Sequence, residues 1–430
     1  MEDEENIFEG DTDVQLSLDD VAEISKETPE TQKLVSYVID KYNKAEDTRR
    51  TDEDRWLQAY RNYRGLYGPD VQFTSAEKSR VFIKVTKTKT LAAYGQIIDV
   101  LFANQKFPIS VDPTVLPEGI SKEVNFDMKS PQMEQGSVEE GSLYGFEGDG
   151  RDFPAGATAN SLREMNLGPL QTKLEDVENL QEGPGLTATQ ITFEPAMYAA
   201  KNMEKKIMDQ LEEAHASKQL RSTSFEMALF GTGIMKGPFA IDKEYPSWDD
   251  EGTYSPTFKT VPSTSHVSVW NFYPDPDASN MDEAQYIIER HKMSRTQLRS
   301  LKKRPFFRKQ VIDEVIEMGE GYVKKYWEDD LKDYQTDYDI DRFEVLEYWG
   351  TIDKEILANA DVELPDNLGE VDEVQANIWY CNGRILRAVL NPFKPANIPY
   401  YAVPYELNPY SFFGVGIAEN MDDTQTLMNG

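Results

Sequence analysis

Asn382-Gly383 stands between two apolar runs, Ile378-Trp-Tyr-Cys381 and Arg384-Ile-Leu-Arg-Ala-Val-Leu390. An Asn-Gly pair adopts the two successive positive-φ conformations of a tight hairpin turn, so these runs are expected to pair as antiparallel strands. Phe343 to Ile352 alternates apolar and polar residues, as a half-buried strand does. Repeated βα units, which a barrel enzyme would need, are not readable anywhere in the chain.

Helical spacing dominates the first part. Leu34, Val35, Val38, Ile39 and Tyr42 recur at that spacing, and Trp56, Tyr60 and Tyr63 resume the stripe after the charged stretch from Lys44 to Arg55. One long helix or a helical pair is expected to end at Gly65. The chain turns basic from Glu77 to Lys89; Leu91, Tyr94, Ile98, Leu101 and Phe102 then mark a helix that stops before Phe107-Pro108. Ala196, Ala200, Met203, Ile207, Leu211 and Ala214 predict one amphipathic helix from about Glu194 to Phe230, ended by Gly231-Thr-Gly233.

Ile234 to Gly237 and Ser265 to Tyr273 are expected as strands, the second leading into the turn Pro274-Asp-Pro276-Asp277. Tyr286 to Glu289 is short and β-like. Ser294-Arg-Thr-Gln297 matches a capping box, and Phe307, Val311, Val315 and Met318 carry a helix onward. A last helix starts near Ile417 and reaches Gly430 without a stop signal, so the chain is expected to continue past that residue.

An α+β organisation in five segments follows. Residues 1–30 hold 12 carboxylates against Lys26 alone and are expected to form an acidic disordered arm. Residues 31–110 are helical, and 111–190 form a Gly-, Pro- and acid-rich insertion with weak periodicity. Residues 191–340 combine helices with strands, and 341–430 form a β-rich region with the hairpin leading into the last helix.

Charge and cysteine usage exclude several classes. Lys and Arg total 45 against 77 Asp and Glu, a formal charge of −32, which repels nucleic acid in general. The single cysteine, Cys381, can build neither an internal disulfide nor a zinc site. No apolar run reaches the ~18 residues of a spanning helix, and with no charged-then-apolar pattern in the first residues a signal peptide is not expected.

Side-chain constellations give little sign of catalysis. His215, His266 and His291 lie far apart, with no HExxH, no GxSxG and no Ser/His/Asp neighbourhood. Asp275, Asp277, Asn280, Asp282 and Glu283 resemble the start of a calcium loop, but position six is Asn280 rather than Gly and position twelve is Tyr286 rather than Glu. A proline-punctuated turn fits better. Asp333, Asp337, Asp339 and Asp341 could gather a cation, though the tyrosines between them favour a solvated loop.

Gly231-Thr-Gly233 and Gly414-Val-Gly416 are fragments of a phosphate-binding pattern that lack its remaining glycine or lysine; tight element junctions explain them better. No catalytic, cofactor-binding or metal residue is therefore assigned. Between Glu289 and Lys309 sit Arg290, Lys292, Arg295, Arg299, Lys302, Lys303, Arg304, Arg308 and Lys309. They form either a solvated helix face or an electrostatic contact with an acidic partner, another copy of the chain included.

The stretch VWNFYPDPDASNMDEAQYIIERHKMSRTQL resembles part of phage portal (head-to-tail connector) proteins, particularly those of short-tailed bacteriophages. There an FYPDP turn precedes a strand ending in Glu-Arg and then a helix. FEMALFGTGIMKGPF, FEVLEYWGTID, WYCNGRILRAVLNPF and IPYYAVPYELNPYSFFGVGIAENMDDTQTLMNG are similar to other parts of the same pattern, the last with a helix bearing Asp423, Gln425 and Asn429. These segments span roughly Lys205 to Gly430; the 111–190 insertion departs from the pattern.

The resemblance implies a portal-like wing of long helices and antiparallel strands, and a homo-oligomeric ring of about twelve subunits at one capsid vertex. It implies a structural conduit for packaging and ejecting double-stranded DNA without sequence-specific binding. The implied partners are the large terminase subunit, coat and scaffold proteins and a tail adaptor, in a virion assembled in the host cytoplasm. No cofactor and no enzymatic activity are implied. Acidity suits a pore in which DNA must slide rather than stick. The alternatives are a carbohydrate-active enzyme using paired carboxylates, which the high acid and aromatic content allows, and a non-portal virion adaptor.

Overall fold

The computed structural model describes residues 29–68, 71, 73, 81–103, 107–114, 124–127, 190–193, 195–248, 252–332, 341–360, 362, 371–391 and 398–429. The chain divides into two compact units: residues 1–108 together with 207–430, and residues 109–206. The arm within 1–30, most of the 111–190 insertion and Asp333 to Asp339 lie outside the described residues.

Helix α1 (Pro29–Arg64) is a single helix, and Gly65 ends it with φ 78, its N–H donating to the Arg61 carbonyl at 2.8 Å. Its stripe serves two separate cores. Leu34, Val35, Val38, Tyr42 and Ala45 enter one, Trp56, Leu57 and Ala59 another, and the buried Arg49 and Glu53 lie between them. Each aliphatic or aromatic side chain buried this way is worth about 1.5–3 kcal/mol. Helix α2 (Val85–Phe102) ends before the expected proline step, and Leu91, expected on its buried face, is exposed. Thr86 and Thr90 are its fully buried residues.

In the smaller unit, β1 (Val124–Asp127) pairs antiparallel with β2 (Gln190–Phe193), from Val124 opposite Phe193 to Asp127 opposite Gln190. The helix expected over residues 194–230 is two helices, α3 (Pro195–Glu213) and α4 (Ala216–Phe230). His215 breaks it with φ 52, a left-handed conformation that helical periodicity cannot register. Gly231, with φ 91, closes α4 and donates to the Met227 carbonyl at 3.0 Å.

Strand β3 (Thr232–Tyr245) is much longer than expected and pairs with β4 (Thr257–Val267) as a hairpin, its register shifting between Lys236 and Phe239. The strand expected over 265–273 is interrupted. Val269–Asn271 forms a 3-10 turn before β5 (Phe272–Pro274), because Arg49 captures the carbonyls of Val269, Trp270 and Phe272 at 3.0, 2.9 and 2.6 Å. Strand β6 (Tyr286–Met293) follows the aspartate turn.

Helix α5 (Arg295–Ser300) starts with the expected capping box: the Gln297 N–H donates to Ser294 Oγ and the Ser294 N–H to Gln297 Oε1. Next come α6 (Lys309–Met318), α7 (Trp327–Lys332), β7 (Phe343–Asp353) and α8 (Lys354–Asn359). Strands β8 (Glu373–Cys381) and β9 (Arg384–Leu390) form the expected hairpin, with Asn382 and Gly383 at φ 46 and 76. Strand β10 (Tyr400–Pro404) leads to α9 (Ile417–Asn420) and α10 (Asp422–Asn429).

The fold is thus mixed helix and antiparallel sheet, of α+β type. One sheet has the order β10-β3-β4, the other β5-β6-β7-β8-β9. Because side chains alternate along a strand, the larger sheet serves two faces. Tyr286, Ile288, Leu346, Tyr348 and Ile378 pack with the start of α1 and with α8. On the other face, Ile287 and Trp349 join the core around Trp56 and Trp270, while Phe343, Val345, Trp379 and Cys381 join one around α5 and α6.

Candidate functional site

Between those last two cores lies a cluster of charge. Glu289 on β6 stands directly opposite Glu347 on β7, and His291 follows Glu289 on the same face. Lys236 reaches in from β3, its Nζ donating to Glu289 Oε2 at 2.7 Å and also to Glu347 Oε2. Tyr400 on β10 donates its hydroxyl to Glu289 Oε2 at 2.6 Å, and Trp349 Nε1 donates to Glu347 Oε1 at 2.7 Å. His291 Nε2 lies 2.7 Å from Glu347 Oε2, and its ring stacks on Trp379 with 5.2 Å between centroids and 4° between planes.

Among the described residues, Glu289, His291 and Glu347 are the set whose ligand atoms converge as a metal site requires. The position between the carboxylates is filled by the Lys236 ammonium, so a cation is already supplied by the chain. Burial opposes the Lys236 charge, yet Glu347 and Glu289 outweigh it and hold this lysine above its ordinary value. Burial likewise opposes ionisation of Glu347, but Lys236 and His291 pull its carboxyl well below the usual range. Burial, reinforced by Glu289 and Glu347, pushes the Tyr400 phenol well up. The Lys236 contacts to Glu289 and Glu347 form an ionic clasp between the two sheets.

The other histidines stay apart from this cluster. His266 Nε2 lies 3.3 Å from Glu226 Oε2, and Glu226 also accepts from Ser268 Oγ and the Val269 N–H. His215 marks the α3–α4 break. The aspartate turn is occupied by its own backbone: Asp275 accepts from the Gln285 N–H, Asn280 from those of Asp282 and Glu283, and Glu283 from that of Ser279. Those bonds describe a turn. Burial pushes the Cys381 thiol up, leaving it an inert core residue.

The two glycine motifs meet. A Cβ on Gly414 would come within 2.6 Å of the Gly231 carbonyl oxygen, and one on Gly416 within 2.5 Å of the Leu229 carbonyl oxygen. The Gly414 N–H donates to Thr232 Oγ1, and the Tyr405 N–H to the Gly231 carbonyl. Nearby, Gln425 Oε1 accepts from the Thr86 N–H and hydroxyl, and Asn429 Oδ1 from the Ile83 N–H; Asp423 is exposed.

Much of the basic stretch is neutralised within the chain. Arg290 is buried between Glu344 and Glu328, and Lys292 also reaches Glu328. Arg295 pairs with Glu320, Lys302 with Asp313, and Arg308 donates to the Ala360 carbonyl. The local positive charge read from sequence is therefore smaller at the surface. Arg299, Lys303, Arg304 and Lys309 remain exposed.

Exposed aromatic surface is concentrated on the β3–β4 hairpin, where Phe258 is 68% and Trp248 63% exposed and Tyr254 packs edge-on against Trp248. Tyr401, Val403, Leu407 and Tyr410 are exposed on and after β10, the opposite edge strand of that sheet. Among the described residues no helix is long and apolar enough to cross a membrane. No protein-family model matches this chain, and no curated protein matches it.

Proposed function

We propose that this chain is a subunit of a phage portal, a ring at one capsid vertex through which DNA is packaged and ejected. The large terminase and tail adaptors would dock on that ring. The observation that carries this is spatial: portal-like segments distant in sequence form one frame. FEMALFGTGIMKGPF and PYSFFGVGIAEN touch at Gly231, Gly414 and Gly416, and VWNFYP joins them through Trp270 and Phe413, both packed on Trp56. Exposed aromatics on both edges of the three-stranded sheet suit a subunit that contacts copies of itself.

An enzyme working through paired carboxylates would most simply use Glu289 and Glu347. Their lysine bridge and burial disfavour that role, because acid/base work requires carboxyls open to substrate. Sedimentation velocity and electron microscopy of the full-length protein test the proposal. A closed ring of about a dozen subunits is expected. A particle that stays monomeric or dimeric at every concentration overturns it, and leaves the adaptor or enzyme alternatives.

A further inference from the structure

Four exposed basic residues without an ion pair named above, Arg299, Lys303, Arg304 and Lys309, lie within seven positions of an exposed aromatic. Phe306 is 73% exposed and has φ 65, while the next residue, Phe307, is buried against Trp379 with ring centroids 5.3 Å apart. A positive φ at a phenylalanine costs on the order of 1–3 kcal/mol, and here it turns one ring inward and its neighbour out. Lys303, Arg304 and Lys309 flank Phe306 in sequence, with Arg299 on the preceding helix. The result is a cationic patch with an apolar centre.

We propose that this patch is the docking site of the chain's own acidic arm, residues 1–28. The arm carries 11 carboxylates and one lysine, interleaved with Ile7, Phe8, Val14, Leu16, Leu18, Val21 and Ile24. It therefore offers in negative form the same mixture of charge and apolar side chains that the patch offers in positive form. Glu4, Glu5 and Glu9 flank Ile7 and Phe8 as Arg304 and Lys309 flank Phe306.

Position favours the same copy. The arm joins α1 at Pro29, and Leu34 and Val35, in the first turns of α1, share a core with Leu357 and Ala360. Arg308 donates to the Ala360 carbonyl at 2.6 Å. Arg308, between Phe306 and Lys309 in sequence, thus contacts the wall on which α1 starts. Attachment to the same chain raises the arm's effective concentration at the patch above that of a free partner. The interaction does not depend on the portal reading.

Carbodiimide coupling of the full chain, as a mixture of unlabelled and isotope-labelled copies, tests it. Amide links from arm carboxylates to Lys303 and Lys309 are expected within single copies, outnumbering links to the exposed Lys87, Lys89 and Lys218. Their yield should fall about fivefold or more in roughly 0.5 M salt, where screening shortens the reach of charge. Arg299→Glu with Arg304→Glu should lower it as much, and Phe306→Ser should lower it with the charges intact. Arm links spread evenly over all exposed lysines overturn the proposal. So do links to Lys303 found only between differently labelled copies, which would assign the patch to a neighbour's arm.

Discussion

Glu289 and Glu347 face each other directly across the β6–β7 ladder, an arrangement that repels unless something cationic enters. Lys236 enters from the other sheet and converts that repulsion into a link between sheets.

Lys236→Met should therefore cost about 3–5 kcal/mol, since it leaves two opposed carboxylates buried without their cation. Adding Glu289→Gln and Glu347→Gln should restore much of the loss, because the charges are then removed together. Urea unfolding of the single and triple variants measures both. A Lys236→Met variant as stable as the parent would refute the clasp.

The same group sets a pH window. Glu347 is depressed in the fold, so its contribution is present above the unfolded value of about 4.3 and is lost as pH falls through the folded value. Lys236 is raised, so its share is complete below about 10.4 and is lost as pH rises through its folded value. Melting temperature should be flat in this respect between those limits. Glu347→Gln should flatten the acid limb, and an unchanged acid limb in that variant would count against the assignment.

Arg49 binds three carbonyls and Glu53, and its guanidinium lies 3.8 Å from the Tyr273 ring centroid. Arg49→Lys keeps the charge but loses the planar fork. A loss of about 2–4 kcal/mol is expected from unsatisfied carbonyls, together with altered fluorescence from Trp270, whose carbonyl is one of the three. Stability within experimental error of the parent would show that the turn holds itself.

Glycine substitutions separate close approach from mere flexibility. Gly416→Ala should destabilise by at least about 1–3 kcal/mol, because its Cβ meets fixed backbone. Gly95→Ala, in the middle of α2 with open space around it, should stabilise by about 0.5–1 kcal/mol. Guanidinium unfolding compares the two; equal effects would contradict the packing at the glycine contact.

On the β3–β4 hairpin, Trp248→Ser with Phe258→Ser should change monomer stability by no more than about 0.5 kcal/mol, since both are exposed. The self-association proposed above, measured by sedimentation, should weaken. Unaltered association would move the subunit contacts elsewhere.

What was legible in the sequence is what local physics decides. Asn382-Gly383, the Ser294 capping box and the stop at Gly65 each depend on residues within a turn of one another, and all three are present. The α3–α4 break depends on one non-glycine residue in a left-handed conformation, His215, which the helical spacing around it does not mark. The turn at Val269 depends on Arg49, distant in sequence, so the local pattern continued a strand where the chain bends. The clasp draws on β3, β6, β7 and β10, and no spacing rule joins those strands. One signal was available: Glu289 and His291 are polar at alternate positions beside the apolar Ile287, which marks a charge carried on an inward face.

The contact between Gly231 and the Gly414–Gly416 segment has a mechanical consequence. The C-terminal helices are fastened at their start by backbone against backbone, midway by Asn62 on Asp422, and at their end by Ile83 and Thr86 on Asn429 and Gln425. Force applied near residue 429 is therefore met at three places along the segment rather than at one. Tension on that helix is thereby shared with α1, with the start of α2 and with the root of the β3–β4 hairpin.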